Sequence, residues 1–369
     1  MRQLVAYGIL TLLAFSCKQS LAQTIKWTEG RMLAVEGRAG EGERDHFYDR
    51  IPKTAKKDAR PEVWDLSQHS AGLCLRFSTD SPNVHVKWTL RFDVSMPHLT
   101  SCVTNGIDLY AFDKESGKWL WAGIAKPYKK NDNSGVILKD LSKDMRHYTL
   151  YLPMYNGIDS VFIGTDDDAH IQPLKRNSKY KPVVFYGTSI TQGASASRCG
   201  LAATAILGRF FDTETINLGF SGNARMESVI GDVMTSVDAS CYVVDCLPNM
   251  TAEMVNERAF DFISRLKDAK PNVSIILVEC SPSQSRWLNQ TEENRMNEKN
   301  KALRTAYEKL LANGYGNIFY VESSMLIGND QEATIDGTHY NDLGFARYAE
   351  CLKPILARIL SVDSYSALK

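Results

Sequence analysis

The sequence predicts a three-layer α/β/α domain built on a five-stranded parallel sheet, preceded by a β-sandwich or jelly roll. Three observations predict it. Beyond residue 180, apolar strand runs alternate with helical patterns, the signature of βαβ units. Between residues 24 and 170, short alternating runs follow one another with regular turns and no convincing helix. Between the halves, residues 171–181, with Pro173, the following Pro182 and several Lys and Asn, read as a linker. The expected units are a leader over 1–22, a β domain over 23–172 and an α/β domain over 180–361.

The leader comes first. Arg2 gives a positive start, Leu4 to Ser16 is an apolar run, and Ser20-Leu21-Ala22 offers a small-x-small cleavage site before Gln23. The run is too short to span a bilayer. The expectation is an exported protein, periplasmic or secreted. Lipid anchoring at Cys17 is a lesser alternative, because Ala14-Phe15-Ser16 lacks the usual Leu three residues back.

In the β half, Gly72-Leu73-Cys74-Leu75-Arg76-Phe77 and Val84-His85-Val86-Lys87-Trp88-Thr89-Leu90 alternate, with the turn cluster Thr79-Asp80-Ser81-Pro82-Asn83 between them. Ile107 to Phe112, Trp119 to Trp121, His147 to Leu152 and Ser160 to Gly164 continue the set. Trp64, Trp88, Trp119 and Trp121 read first as core and second as sugar-stacking surfaces. Six of the seven histidines lie in this half, and no two have ligand spacing on one element. They read as surface or satisfied polar groups.

In the α/β half, strands are expected over 183–187, 214–219, 241–247, 274–280 and 317–322. Helices are expected near 198–211, 224–236, 252–269, 292–313 and 341–360. Thr251 is an N-cap candidate and Gly314 a helix stop. Strand order 2-1-3-4-5 is the usual solution, with its switch point between strands 1 and 3.

Composition bounds the function. Apolar residues make up 44% and charged residues 23%, as in ordinary globular proteins. The net charge is zero, so a basic footprint for nucleic acid is missing. Seven cysteines follow residue 22, an odd number that leaves at least one free thiol. Cys241, Cys246 and Cys280 sit in apolar runs and read as small core residues. With no Cys-x-x-Cys and no His-Glu-x-x-His, neither a protein-ligated metal nor a cofactor is expected.

The residues that follow the strands carry the chemistry. Val183-Val184-Phe185-Tyr186-Gly187-Thr188-Ser189 delivers a serine to the carboxyl end of the first strand, the ligand edge of such sheets. Asn217 to Asn223 follows the second strand with Gly222. Asp245-Cys246-Leu247-Pro248-Asn249 follows the third, and Asp336-Gly337-Thr338-His339 precedes the last helix. His339 is the only histidine after residue 170, so it is the general-base candidate within this domain. Asp336, three residues earlier, can hold its other ring nitrogen. The Ser189 and Gly222 amides and the Asn249 side chain are oxyanion-donor candidates. Each has a blander reading: Ser189 or Asp336 as a helix cap, Asn249 as a turn residue, Gly222 as a bearer of positive φ.

Together these four stretches resemble the SGNH hydrolases, or GDSL lipases/esterases, over residues 182–360. The resemblance implies a flavodoxin-like fold, with Ser189 as nucleophile, Gly222 and Asn249 completing the oxyanion hole, and Asp336 and His339 finishing the triad. Two blocks depart from the family pattern. Thr188 stands where Asp is usual, and Leu247-Pro248-Asn249-Met250 replaces Gly-x-Asn-Asp. In the first half, Gly106-Ile107-Asp108-Leu109-Tyr110 is similar to the Gly-x-Asp-Leu-Tyr signature of a β domain found ahead of bacterial hydrolases of this kind. The layout implies a serine esterase acting on acylated, notably O-acetylated, carbohydrate. Trp287, in the loop after the fourth strand, is a sugar-stacking candidate or a packed loop anchor. The rivals are a pectin-type methylesterase, a lipase-like acylhydrolase, and a non-catalytic glycan-binding protein.

Overall fold

Alternating buried and exposed residues build two antiparallel sheets in the amino-terminal half. The computed structural model describes residues 24–177 and 179–362. The expected leader, with Cys17, lies outside the described residues. The strands are β1 (Ile25–Glu29), β2 (Ala34–Glu36), β3 (Cys74–Thr79), β4 (Val84–Leu90), β5 (Ile107–Asp113), β6 (Lys118–Ala125), β7 (Asp132–Leu138), β8 (Arg146–Tyr151), β9 (Ile158–Asp166) and β10 (Ile171–Pro173). One sheet runs β1-β9-β4-β7. The other runs β10-β3-β8-β5-β6, with β2 beside β3. Phe77, Val86, Trp88, Leu109, Leu150 and Ile163 from both sheets share one buried cluster, so the two form a sandwich.

Four of these strands escape sequence pattern. β2 and β10 have three residues each. β1 is never fully buried, and β7 contains Asn133, Ser134 and Gly135, which read as turn residues. The expected linker therefore begins as the edge strand β10. Its Pro173 sits where no central ladder bond is needed.

Helices in this half also depart from expectation. α1 (Pro61–Ser67) starts with proline at its first position, where the missing N–H costs nothing. Its Val63 and Trp64 pack into a core cluster of the other half, beside Tyr186 and Phe220. Tertiary burial across the domain boundary holds this helix. α2 (Ser101–Thr104) is a single turn capped by Thr100.

The second half is a parallel sheet of β11 (Val183–Gly187), β12 (Thr215–Gly219), β13 (Cys241–Asp245), β14 (Ser274–Val278) and β15 (Ile318–Val321). Its order is β12-β11-β13-β14-β15, the 2-1-3-4-5 arrangement expected. All five residues of β11 are buried, as a strand covered on both faces must be. The helices are α3 (Ser189–Gln192), α4 (Ala203–Phe210), α5 (Ser228–Thr235), α6 (Ala252–Ala269), α7 (Gln290–Ala312) and α8 (Asp342–Ile359). Thr251 caps α6 by accepting from Met254 N–H, and Gly314 follows α7 at φ +85°. β13 stops two residues short of expectation, because Leu247–Asn249 turns into a 3-10 helix. α5 starts four residues late, after Met226 at φ +51°.

Glycine ends β11 and β12 for a steric reason. A Cβ on Gly187 would lie 2.0 Å from Thr191 Oγ1, and one on Gly219 would lie 2.2 Å from the Gln192 nitrogen. Only bare backbone lets α3 sit this low over the sheet edge.

Candidate active site

Register sets the site. Gly187 pairs with Gly219 of β12 and with Asp245 of β13. Ser189, Gly222 and Asn249 thus follow three adjacent strands at nearly the same level, on the edge where open sheets bind ligands.

Ser189 is the first residue of α3 and is 7% exposed. It does not cap that helix. Thr188 does, its Oγ1 accepting from Ile190 N–H at 3.3 Å. The residue that stands where the family usually has Asp is thus the helix cap. Ser189 Oγ is left 3.0 Å from His339 Nε2. His339 Nδ1 lies 2.7 Å from Asp336 Oδ2. A carboxylate only accepts, so Nδ1 carries the proton and Nε2 is free to take one from Ser189.

Asp336 is held on both oxygens. Its Oδ1 accepts from Thr338 N–H at 3.0 Å and His339 N–H at 2.8 Å. Burial works against the charge, but the bonds from the His339 ring and from both N–H groups outweigh it. The carboxyl stays below its usual range. The last helix is capped by Asn341, whose Oδ1 accepts from Gly344 N–H, so Asp336 is not a helix cap.

Three donors face no acceptor among the described residues. Ser189 N–H heads a helix and has no intrahelical partner. Gly222, at φ +70° in the Phe220–Asn223 turn, has a free N–H. Asn249 accepts from Ala224 N–H through Oδ1 at 3.2 Å, which leaves its Nδ2 end for a ligand.

The β domain builds part of this site. The His98 ring lies over His339, with centroids 5.0 Å apart and planes at 31°. The His98 carbonyl accepts from Ser195 Oγ at 3.0 Å, and Thr100 Oγ1 donates to the Ser197 carbonyl at 2.8 Å. Buried Gln192 donates through Nε2 to the Met154 carbonyl and lies 3.2 Å from His69 Nδ1. Its Oε1 accepts from Ser221 N–H at 3.0 Å, next to Gly222. Burial, with the charges of Arg50 and Arg91, pushes His69 down to about 3, so it stays neutral and can accept. Fully buried Arg50 donates to the Asn217 and Gly219 carbonyls at 2.8 Å each. Arg60 donates to the Asn223 side chain at 2.9 Å and its carbonyl at 3.0 Å, and pairs with Glu227.

The Gly106–Tyr110 motif is a docking device. Ile107 and Leu109 fill the sandwich core, while Asp108 faces the other way. Asp108 Oδ2 accepts from Arg198 at 2.9 Å and Gly200 N–H at 2.8 Å, and Oδ1 accepts from Trp121. The motif thereby clamps the β domain to the segment after the Ser189 helix.

Trp287 is not a packed loop anchor, because it is 70% exposed. Its loop is tied to the Asp336 turn: Gln284 N–H donates to the Gly337 carbonyl at 2.9 Å, and Thr334 Oγ1 donates to Gln284 Oε1 at 2.6 Å. Of the other tryptophans, Trp64 and Trp88 are buried and Trp121 is half exposed. A cavity of about 260 Å³ is lined in part by Pro248 and Thr338, which are the chain neighbours of Asn249 and His339. A larger one, about 490 Å³, lies around Arg60, Glu227 and Arg258. Among the described residues, no three His, Cys, Asp or Glu side chains converge as metal ligands.

Sequence reasoning misses His98, Gln192, Arg60 and Arg50. Gln192 lies three residues after Ser189, the other three sit in no motif, and all four act across the domain boundary. Arg60-Pro61-Glu62 does carry a legible helix-start signal.

A parallel α/β sheet bearing a serine–histidine–aspartate chain at its carboxyl edge defines the class of α/β ester hydrolases. Residues 180–357 match the GDSL-like lipase/acylhydrolase family, and residues 25–171 match GxDLY, the N-terminus of the SGNH-hydrolase-type esterases. A crystal structure of a GDSL-like lipase from Bacteroides ovatus is 33% identical, covers 92% of this chain and 98% of its own, and gives a TM-score of 0.86. The chain belongs to the GDSL-like lipase/acylhydrolase family. Two remoter structures share its fold. A salicylyl-acyltransferase from a tetracycline biosynthetic pathway is 14% identical, with TM-score 0.72 over 91% of this chain and 97% of that one. An acetyl xylan esterase from the rumen bacterium Butyrivibrio proteoclasticus is 10% identical, with TM-score 0.57 over 91% and 99%. No curated protein matches the chain.

Proposed function

We propose that this chain is an exported serine esterase that removes O-acetyl groups from carbohydrates. The observation that carries the reading is the Asp336–His339–Ser189 chain, with distances of 2.7 and 3.0 Å. His339 Nε2 takes the Ser189 proton as Oγ attacks the ester carbonyl. The tetrahedral oxyanion is met by the Ser189 and Gly222 N–H groups and by Asn249 Nδ2. Collapse expels the sugar alcohol, which receives the proton from His339 and leaves an acetyl-serine. Water then attacks with His339 again as base, and collapse breaks the acyl–Oγ bond, returns the proton from His339 to Ser189 and releases acetate. The charged Asp336 stabilises the imidazolium at both stages.

The carbohydrate substrate is brought from the fold neighbours that act on it, the acetyl xylan esterase among them. Trp287, exposed on the loop tied to the Asp336 turn, is the sugar-stacking residue of this reading. Export rests on the apolar segment Leu4–Ser16 with the Ser20-Leu21-Ala22 site, and a lipid anchor at Cys17 is the variant of it.

Hydrolysis of 4-nitrophenyl acetate by the wild type and by Ser189→Ala tests the chemistry. Turnover by the wild type that is lost in the variant is expected, whereas equal turnover by both overturns the reading. Acetate release from acetylated xylan set against methanol release from methylated pectin separates acetylesterase from methylesterase. Long-chain 4-nitrophenyl esters address the lipase-like alternative. A chain that binds glycans and hydrolyses none of these is the non-catalytic rival.

A further inference from the structure

The cavity that touches Pro248 and Thr338 has one helix face as a wall. α7 presents Glu292, Arg295, Met296 and Lys299 to it, spaced i, i+3, i+4 and i+7. Opposite stand Pro248, Ser281 and Thr338, which come from the segments bearing Asn249, the end of β14 and His339. Two of these residues are thus joined along the chain to groups of the reacting centre, Pro248 to Asn249 and Thr338 to His339.

The charges along that face do not cancel. Arg295 is paired with Glu292 at 2.6 Å. Lys299 has no carboxylate or hydrogen-bond partner among the described residues. Its ammonium lies near the Cys280 thiol: burial pushes that thiol up to about 11, and the charge of Lys299 pulls against the shift. Among the charged residues that line the cavity, Lys299 is thus the cation outside an ion pair. The cavity also holds a hydroxyl with a proton to give. Tyr340 donates to Ser281 Oγ at 2.7 Å, so the Ser281 hydrogen is free for a ligand. The volume of about 260 Å³ falls just under the ~300–1,000 Å³ of sites for drug-sized ligands. It suits one ring-sized group and is too small for a chain.

We propose that this cavity receives a sugar ring bearing a carboxylate, with Lys299 as the group that recognises the charge. The preferred substrates are then O-acetyl esters on glycans containing uronosyl residues. This inference rests on the esterase reading above. It adds a selectivity that the reacting groups alone do not supply.

The test uses the full chain and two substrate sets that differ only in charge. These are the mono-O-acetyl methyl glucuronosides and the matching mono-O-acetyl methyl glucosides, compared position by position through acetate release. For the wild type at low salt, kcat/KM is expected to be about tenfold higher for the uronoside at one position or more. High salt should shrink that ratio, because the contact is partly exposed to solvent. Lys299→Ala should bring the ratio to about one, Lys299→Glu should invert it, and Lys299→Arg should retain it. A wild-type ratio near one at every position overturns the proposal, as does a ratio that survives Lys299→Glu. The salt dependence needs no variant and stands if the variants fold poorly. Turnover of 4-nitrophenyl acetate with no release from either glycoside set overturns the acidic-sugar reading and leaves the esterase reading standing. No turnover of any ester by the wild type overturns both.

Discussion

His98 of the β domain lies over His339 of the α/β domain, ring centroid to ring centroid 5.0 Å. The ring that must hold Nε2 on the serine is thus braced by Asp336 at one edge and by His98 across its face. Aromatic contacts of this kind contribute about 0.5–1.5 kcal/mol. His98→Ala is expected to lower kcat on 4-nitrophenyl acetate by about 2- to 10-fold. His98→Phe, which keeps a flat ring, is expected to retain most of the activity. Steady-state kinetics on the two variants checks this, and equal loss in both would mean that the contact with His339 is not a ring contact.

Arg60 reaches from the β domain to the turn that carries Gly222. Its fork grips Asn223 at two points and Glu227 at a third. Arg60→Ala is expected to lower kcat about tenfold with little change in KM, because an oxyanion donor serves the transition state more than the bound ester. Arg60→Lys should recover only part, since a point charge cannot reproduce the fork. Asn249→Ala removes a donor outright and is expected to cost about 10²–10³ in kcat. A change in KM alone for either residue would show that it binds substrate uniformly instead.

Asp108 tests the clamp between the domains. It is fully buried against Arg198 and Gly200 N–H. Asp108→Ala removes this acceptor from Arg198, Gly200 N–H and Trp121 Nε1 alike. Losing one partner of a buried pair costs about 3–5 kcal/mol. The low end is expected here, because the Arg198 side chain keeps 21% exposure. Urea unfolding of the variant should show a lower midpoint, and an unchanged midpoint would mean that the motif does not hold the domains together.

What the sequence displayed follows the range of each interaction. The five strands of the parallel sheet were legible because burial on both faces forces continuous apolar runs, as in Val183–Gly187. Ser189, His339 and Asp336 were legible because each follows a recognisable strand or precedes a recognisable helix. His98 was not. It sits on an irregular loop among six histidines of its half, and long-range contacts bring it to His339: its carbonyl accepts from Ser195, Thr100 bonds Ser197, and Met96 and Leu99 pack on a cluster shared by both halves. Helix α1 was missed for the same reason: Val63 and Trp64 bury against a core encoded more than a hundred residues later. Asp108 reads in the sequence as part of an alternating strand, and the cation that explains its burial lies 90 residues away.

A buried carboxyl outside the reacting chain supplies the last prediction. Asp245 ends β13, with Oδ2 accepting from Tyr348 Oη at 2.9 Å. Burial pushes it up to about 7, and the Tyr348 bond only partly opposes this. In the unfolded chain the same group titrates near 3.8. Between those two values the folded state keeps a proton that the unfolded state has lost, so stability falls as pH rises from about 4 to about 7 and levels off above. Asp245→Asn keeps an acceptor for Tyr348 and has no charge to bury. It should remove this slope and unfold at a higher temperature than the wild type at pH 8, while the two converge near pH 4. Calorimetric melts of both proteins across that range measure the difference directly. Parallel curves, or a wild type that gains stability on going from pH 4 to 7 relative to the variant, would place the charged form of Asp245 in the folded protein.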